Sequence, residues 1–167
     1  MKHKVRKKHQ NSKHCFVCGL KNDFGIKAVF FELENNELVA TFTPCEMHQG
    51  YPGRLHGGIS SAILDETIGR AIMIEHDEIW GVTVELNVKY KRPVPYDVEL
   101  KVVGRITSQN RRFFEGTGEL ILPDGKVAVT AWGKYIKLPL DKIADWDHDE
   151  EDWKITPMES DPEEIEL

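Results

Sequence analysis

The stretch His48-Gln-Gly-Tyr-Pro-Gly-Arg-Leu-His56-Gly57-Gly58, followed by Ile-Ser-Ser-Ala-Ile-Leu-Asp65-Glu66, concentrates more chemically capable groups than any other part of the chain. Two glycines stand where a breaker-rich loop turns into a helix. The first N–H groups of a helix lack intrahelical partners and carry the positive end of its dipole, and glycine lets a ligand oxygen approach that backbone closely. Such a site can polarise a carbonyl as an oxyanion hole does. Alone, the glycine pair reads more readily as a tight start to a helix packed on the sheet. The second feature is a carboxylate: Asp65 falls among Leu64, Ile68 and Ile72 at helical spacing, and an acid on an apolar face needs a reason to be there. Its neighbour Glu66 has Arg70 four residues on, the spacing of a helical salt bridge, although periodicity alone does not choose between the two acids.

Gly57 and Asp65 are eight residues apart, about 12 Å along a helix at 1.5 Å per residue. That is too far for both to touch one reacting carbon. If the helix start polarises a carbonyl that Asp65 attacks, or toward which it activates water, the two groups come from different subunits.

The elements that must position these residues follow from periodicity. Residues 26–43 read as two strand-like runs around Glu34-Asn35-Asn36-Glu37, a hairpin. Residues 44–58 hold Pro44, Gly50, Pro52, Gly53, Gly57 and Gly58 and form a loop. From Ile59 to about Glu75 there is one long helix, apolar on more than one stripe and so wrapped by its surroundings. Trp80–Tyr90 alternates with period two, and three further runs, from Val98 to Ser108, Arg112 to Leu122 and Lys126 to Leu138, do the same. A hairpin, one helix and four antiparallel strands make an α+β domain in which a single sheet wraps the helix and leaves its edges for another subunit.

Charge divides the chain of 167 residues, whose formal net charge is −6. Residues 1–14 carry Lys2, Lys4, Arg6, Lys7, Lys8 and Lys13 with no acid, whereas residues 139–167 carry twelve acids against Lys142 and Lys154. The domain between them, 15–138, is close to neutral. Both ends read as charged tails, and Asp147, Asp149, Glu150, Glu151 and Asp152 form a solvated, mobile cluster, with Trp146, Trp153 and Ile155 available to dock part of it. No basic-aromatic module follows the first segment, which argues against nucleic acid as partner. No apolar run approaches a membrane span, and the start lacks the apolar stretch of a secretory signal. Three cysteines suit a reducing compartment, and the chain reads as cytoplasmic.

The order His56-Gly-Gly, Asp65, then Gly-Val-Thr83-Val-Glu-Leu-Asn87-Val-Lys-Tyr-Lys-Arg-Pro93 resembles the PaaI-like branch of the hotdog-fold acyl-CoA thioesterases. The opening Cys15-Phe-Val-Cys18-Gly with Asn22 and Gly25 is similar to one subgroup of that branch, so the resemblance spans residues 15–138. It implies a hotdog fold, one long helix wrapped by a curved antiparallel sheet of five to six strands, in homodimers or homotetramers. It further implies hydrolysis of an acyl-CoA to a carboxylic acid and free coenzyme A, with no metal or other cofactor. Gly57 and Gly58 match the backbone donor to the thioester carbonyl, His56 shapes the helix start, Asp65 matches the nucleophile or general base, and Thr83 matches the hydroxyl that positions water or the acid. Many members carry Asn six residues before the His; Gly50 stands there in this chain, and Gln49 is the candidate to hold the water instead. Gly58, Glu66, His48, Asn87 and Arg92 complete the candidate substrate contacts, with Arg54, Lys89 and Lys91 beside Arg92 as candidates for the nucleotide end. The alternatives are a hotdog module that binds acyl-CoA without turnover, which has no need of a carboxylate at the thioester, and a dehydratase, which needs a His and an acid converging on the substrate.

Cys15-x-x-Cys18 would make a zinc site only together with Cys45, thirty positions beyond Cys15, and a His. No thioredoxin-like βαβ unit follows to suggest redox chemistry. These cysteines are expected to pack near the start of the sheet. His76 is expected to end the helix, His3 and His9 to lie in the first tail and His148 among the acids of the second.

Overall fold

The computed structural model describes residues 1–144, 150 and 152–167. Trp146, Asp147, His148, Asp149 and Glu151, and with them most of the acidic cluster, lie outside the described residues. The hairpin is formed by strands at Val29–Leu33 and Leu38–Phe42, with Asn36 at positive φ in the turn. The long helix runs from Gly57 to Arg70 and tightens into a 3₁₀ turn at Ala71–Ile74. Four strands follow: Ile79–Tyr90, Leu100–Gln109, Phe113–Ile121 and Val127–Pro139.

Both terminal segments expected to be tails contribute a strand. Lys2–Lys8 pairs with Val29–Leu33, and Glu164–Glu166 pairs with Lys2–Lys4. In chain order the strands are therefore β1 (Lys2–Lys8), β2 (Val29–Leu33), β3 (Leu38–Phe42), β4 (Ile79–Tyr90), β5 (Leu100–Gln109), β6 (Phe113–Ile121), β7 (Val127–Pro139) and β8 (Glu164–Glu166), with one helix, α1 (Gly57–Arg70). They form a single eight-stranded antiparallel sheet in the order β4-β7-β6-β5-β3-β2-β1-β8, in place of the five to six strands expected. The extra strands have a physical cause. Phe31, Leu33, Val39 and Val103 form a small apolar cluster apart from the main core, and Ile165 of β8 is buried in it, a burial that contributes about 1.5–3 kcal/mol. The Lys8 amine, at the end of β1, is neutralised by Asp161 at 2.6 Å. Trp153 docks on Trp80, their ring centroids 4.7 Å apart. No helix among the described residues is long and apolar enough to cross a membrane.

The main core lies between α1 and the curved sheet. Ser60, Ile63, Leu64, Thr67, Ile68 and Ala71 form the buried stripe, packed with Phe30, Leu100, Val102, Phe114, Leu120, Val129 and Tyr135. The helix sits this close because Gly104 and Gly118 face each other across β5 and β6 under it. A Cβ at Gly104 would lie 2.7 Å from the Thr67 carbonyl oxygen, and one at Gly118 would lie 3.0 Å from Leu64 and Ile68 side chains. Backbone cannot yield as a side-chain end does. Gly104→Ala is therefore expected to lower unfolding free energy by about 1–3 kcal/mol through overpacking, read as a shift of the urea midpoint at unchanged slope.

Candidate active site

The site is built where the loop after β3 enters α1 and where α1 crosses β4 and β7. His48 ends a 3₁₀ turn at Glu46–His48 and is buried. Its Nδ1 accepts the Cys45 N–H at 3.0 Å, its Nε2 donates to the Phe24 carbonyl at 3.0 Å, and its own carbonyl accepts the His56 N–H at 2.9 Å. Both ring nitrogens are thus spent on holding the loop together. Gln49 is exposed beside it, its backbone bridged to Leu55. Gly50 packs against His56, where an added Cβ would lie 3.2 Å from the His56 Cα.

His56 caps the helix: its Nδ1 accepts the Gly58 N–H at 2.9 Å, and its carbonyl accepts the N–H groups of Ile59 and Ser60. Among the described residues the Gly57 N–H makes no hydrogen bond, so of this first turn it is the donor left open. Tyr90, on β4, donates to the Gly57 carbonyl at 2.7 Å and meets Ser61 at 2.6 Å. Around this helix start lies an open groove of about 390 Å³ lined by Tyr51, Arg54, Gly57, Tyr90, Lys91 and Arg92. The Arg92 guanidinium is tied to the Val127 carbonyl at 2.7 Å. Lys89 and Asn87 are placed elsewhere. They line a hollow of about 370 Å³ with Arg105, Thr117, Thr130 and Trp132, on the face of β4 opposite to Thr83, Leu86 and Val88.

Two turns further along α1, Asp65 is half-buried. Its Oδ1 accepts a hydrogen bond from the Thr83 hydroxyl at 2.9 Å and one from the Tyr135 hydroxyl at 3.1 Å. Among the described residues Oδ2 has no partner and is left for a ligand or water. Burial pushes the Asp65 carboxyl above the usual Asp range, the two hydroxyls pull it back down, and the neighbouring Glu66 adds a smaller upward push. Tyr135 is pushed well above the ordinary phenol range by burial and by the Asp65 charge, so it acts as a neutral donor.

Tyr135 is the residue that sequence reasoning missed. A tyrosine in an alternating strand reads as core, and only the requirement that a buried hydroxyl find a partner could have pointed to it. Its ring stacks on Phe114 at 4.9 Å and fits because Gly69 and Gly133 lack side chains, added Cβ atoms there coming within 3.2 Å and 2.6 Å of the ring.

Glu66 turns away from Asp65. It accepts from Arg70 Nε at 2.9 Å and meets Cys15, so the expected i, i+4 pair forms. Cys45 lies by His48, not with the other two cysteines. Thus the structure joins Asp65 with Thr83, and His56 with Gly57 and Gly58. It leaves Gln49 on the exposed loop, places His48 and Glu66 in supporting contacts, and puts Asn87 on the opposite sheet face.

Residues 52–129 match the family model described as Thioesterase superfamily. The chain is 29% identical over 142 residues to the acyl-coenzyme A thioesterase THEM4 of Rattus norvegicus, a match covering 83% of this chain and 60% of the relative. It is 30% identical over 69 residues to the acyl-coenzyme A thioesterase THEM5 of Homo sapiens, covering 41% and 27%. Among solved structures, a thioesterase superfamily protein superposes with a TM-score of 0.68 at 30% identity, covering 74% of this chain and 60% of that one. The E. coli PaaI protein superposes with a TM-score of 0.61 at 15% identity, covering 68% and 80%, a likeness of fold. This chain therefore spans no more than three-fifths of the length of these curated relatives. One helix wrapped by an antiparallel sheet, with the matching segment running from the loop before α1 into β7, is the hotdog arrangement, and over that segment the chain is similar to the thioesterase superfamily.

The raised Asp65 pKa has a consequence for stability. The native carboxyl holds its proton more tightly than the unfolded one, so stability falls as pH rises from the unfolded value, about 3.9, through the native value, and stays reduced above it. Asp65→Asn removes that penalty. The variant is expected to be more stable than the parent near neutral pH and to lose the advantage as pH falls below the unfolded Asp value, measured by urea denaturation across the pH range.

Proposed function

We propose that this protein is an acyl-CoA thioesterase working as a homodimer or a pair of dimers, in which Gly57 of one subunit and Asp65 of its partner act on the same thioester. The observation that carries this reading is the state of the two groups. The Gly57 N–H is the open donor at a helix start, and Asp65 presents one oxygen free while the other is held by Thr83 and Tyr135.

Within one chain these groups stand about 12 Å apart at 1.5 Å per residue, so a second helix running alongside in the opposite sense is needed to join them. The β4 edge supports such pairing. It is twelve residues long, pairs among the described residues with β7 alone, and exposes Val82 and Val84 beside Thr83. An edge of this length is a template for a second copy.

In the reaction the Gly57 N–H and the helix dipole polarise the thioester carbonyl and stabilise the oxyanion that forms there. The free oxygen of Asp65 takes a proton from water as it attacks the carbonyl carbon, or itself attacks to give an anhydride that water then opens. The C–S bond breaks, and the coenzyme A thiolate leaves to take up a proton. Burial makes Asp65 a better base than an exposed carboxylate, while Thr83 and Tyr135 keep it ionised near neutrality. Arg54, Lys91 and Arg92 in the groove at the helix start offer positive charge to the phosphates of coenzyme A. Gln49 is exposed on the loop that leads to the helix start and is the candidate to hold a water for the carbonyl. The match to acyl-coenzyme A thioesterases supports the substrate class.

Free-thiol release from acetyl-, hexanoyl-, palmitoyl-, benzoyl- and phenylacetyl-CoA tests the reading. Asp65→Asn is expected to lower kcat at least about a hundredfold, as for loss of a general base, while Thr83→Ala and Tyr135→Phe give smaller losses and Glu66→Gln retains most activity. Binding of the CoA esters without turnover in the parent would replace the enzyme with a binding module.

A further inference from the structure

The Cys15-x-x-Cys18 pair takes no part in the site above, yet α1 brings two charged side chains to it. Gly19 closes the turn: its N–H donates to the Cys15 carbonyl at 2.8 Å, and a Cβ there would lie 2.4 Å from that oxygen. The turn gathers the sulfurs. Cys15 is half-buried and its Sγ accepts the Val17 N–H at 3.3 Å. Cys18 is only 1% exposed. The Glu66 Oε2 stands 3.8 Å from the Cys15 Sγ, and both sulfurs and a Glu66 oxygen fall within 4.8 Å of one another. Behind them the Arg70 guanidinium is 3.1 Å from the Cys18 Sγ. It is fixed there by Glu66, by the Gln10 carbonyl at 2.7 Å and by the Phe30 ring at 4.3 Å.

A half-buried thiol with a buried thiol beside it and a guanidinium at the second are features that thiol–disulfide exchange uses, and Glu66 at the first stands where it can accept the thiol proton although its charge opposes ionisation of Cys15. We infer that Cys15 and Cys18 form a redox-active dithiol that exchanges with small disulfides of the glutathione class, Cys15 attacking and Cys18 resolving. Sequence spacing spoke against a redox role because no thioredoxin-like unit follows; Glu66 and Arg70, brought from α1, supply what the spacing lacks. The guanidinium already holds the position of positive charge that a divalent ion would take against Cys18 and Glu66, which favours exchange over metal binding.

Glu66 takes the Cys15 proton, and the thiolate attacks one sulfur of R–S–S–R. That S–S bond breaks, a mixed disulfide forms on Cys15, and the first RS⁻ leaves and takes up the proton. Cys18 then gives its proton to Glu66, Arg70 steadies the thiolate, and attack on the Cys15 sulfur closes the Cys15–Cys18 disulfide and expels the second RS⁻, which is protonated in turn. The dithiol is oxidised by two electrons and the small disulfide is reduced to two thiols. The Cys18 thiol, donating to Cys15, and the backbone N–H groups hold Cys15 down to about 7, while that same contact and burial push Cys18 up. This is the division of roles between attacking and resolving thiols.

The test uses the intact chain equilibrated with oxidised and reduced glutathione, quenched with acid, alkylated under denaturing conditions and weighed by mass spectrometry with peptide mapping. The expected result is a species lighter by two hydrogens, with Cys15 and Cys18 joined and only Cys45 left to alkylate, converted back by reduced glutathione. Cys18→Ser is expected to stop at one glutathione on Cys15, and Cys15→Ser to lose the internal disulfide altogether. Wild-type protein whose Cys15 and Cys18 both remain alkylatable in excess oxidised glutathione would overturn the inference. So would bound zinc that shields both thiols and is lost in Cys15→Ser. Neither readout depends on thioesterase turnover.

Discussion

A carboxylate held half out of water between a helix and a sheet is the constraint around which this molecule is arranged. Desolvating Asp65 costs free energy, and that cost is offset by two hydroxyls that donate to the same oxygen, Thr83 from β4 and Tyr135 from β7. For Tyr135 to reach it, an aromatic ring must lie flat beneath the helix. It does so by stacking on Phe114 and by occupying space that side chains at Gly69 and Gly133 would take. Gly81 continues the same requirement on β4, where a Cβ would lie 2.5 Å from the Phe114 ring and 2.9 Å from the Gly69 carbonyl oxygen. Three glycines far apart in sequence thus serve one hydrogen-bonded acid. Their positions set how closely α1 approaches β4 and β7.

Rigid placement of Asp65 also explains why the reading in two copies is economical. The helix start is organised independently, through the His56 cap, the His48 clamp and the Tyr90 hydroxyl on the Gly57 carbonyl. Each end of α1 is therefore fixed by its own contacts, and no rearrangement within one chain would bring them together. Juxtaposing two preorganised ends across a β4 edge requires only docking.

Much of this architecture was legible in the sequence because its periodicities are local. The hairpin, α1 and the four strands after it appear where period two and period 3.6 place them, with the helix beginning two residues early, at the His56 cap. β1 and β8 were not legible, because Lys2, Lys4 and Arg6 alternating with His3, Val5 and Lys7 look like a solvated basic run. Their pairing is also a contact between the two ends of the chain. In the site, the glycine pair and Asp65 stood out by type and spacing. The choice between Asp65 and Glu66 did not, since adjacent residues on a helix differ by about 100° in direction and either could face the sheet. Tyr135 and the placement of Asn87 depended on strand register, which local pattern leaves open.

That 100° between neighbours lets one helix face two separate groups of side chains. Asp65 faces β4 and β7 and their hydroxyls. Glu66, one residue on, faces the turn at Cys15 and Cys18 and is joined there by Arg70. Arg70 is itself nearly inaccessible, and its charge is balanced by Glu66 and spread against the rings of Phe30, Trp153 and Trp80. Removing Glu66 would therefore leave a buried cation uncompensated as well as strip a carboxylate from the thiols. The same pair anchors the segment that leads from β1 into the sheet, through the Gln10 carbonyl and the Cys18 sulfur. A charge pair that looks from sequence like an ordinary helical salt bridge is thus the point at which the N-terminal segment, the cysteine turn and the helix carrying Asp65 are fastened together.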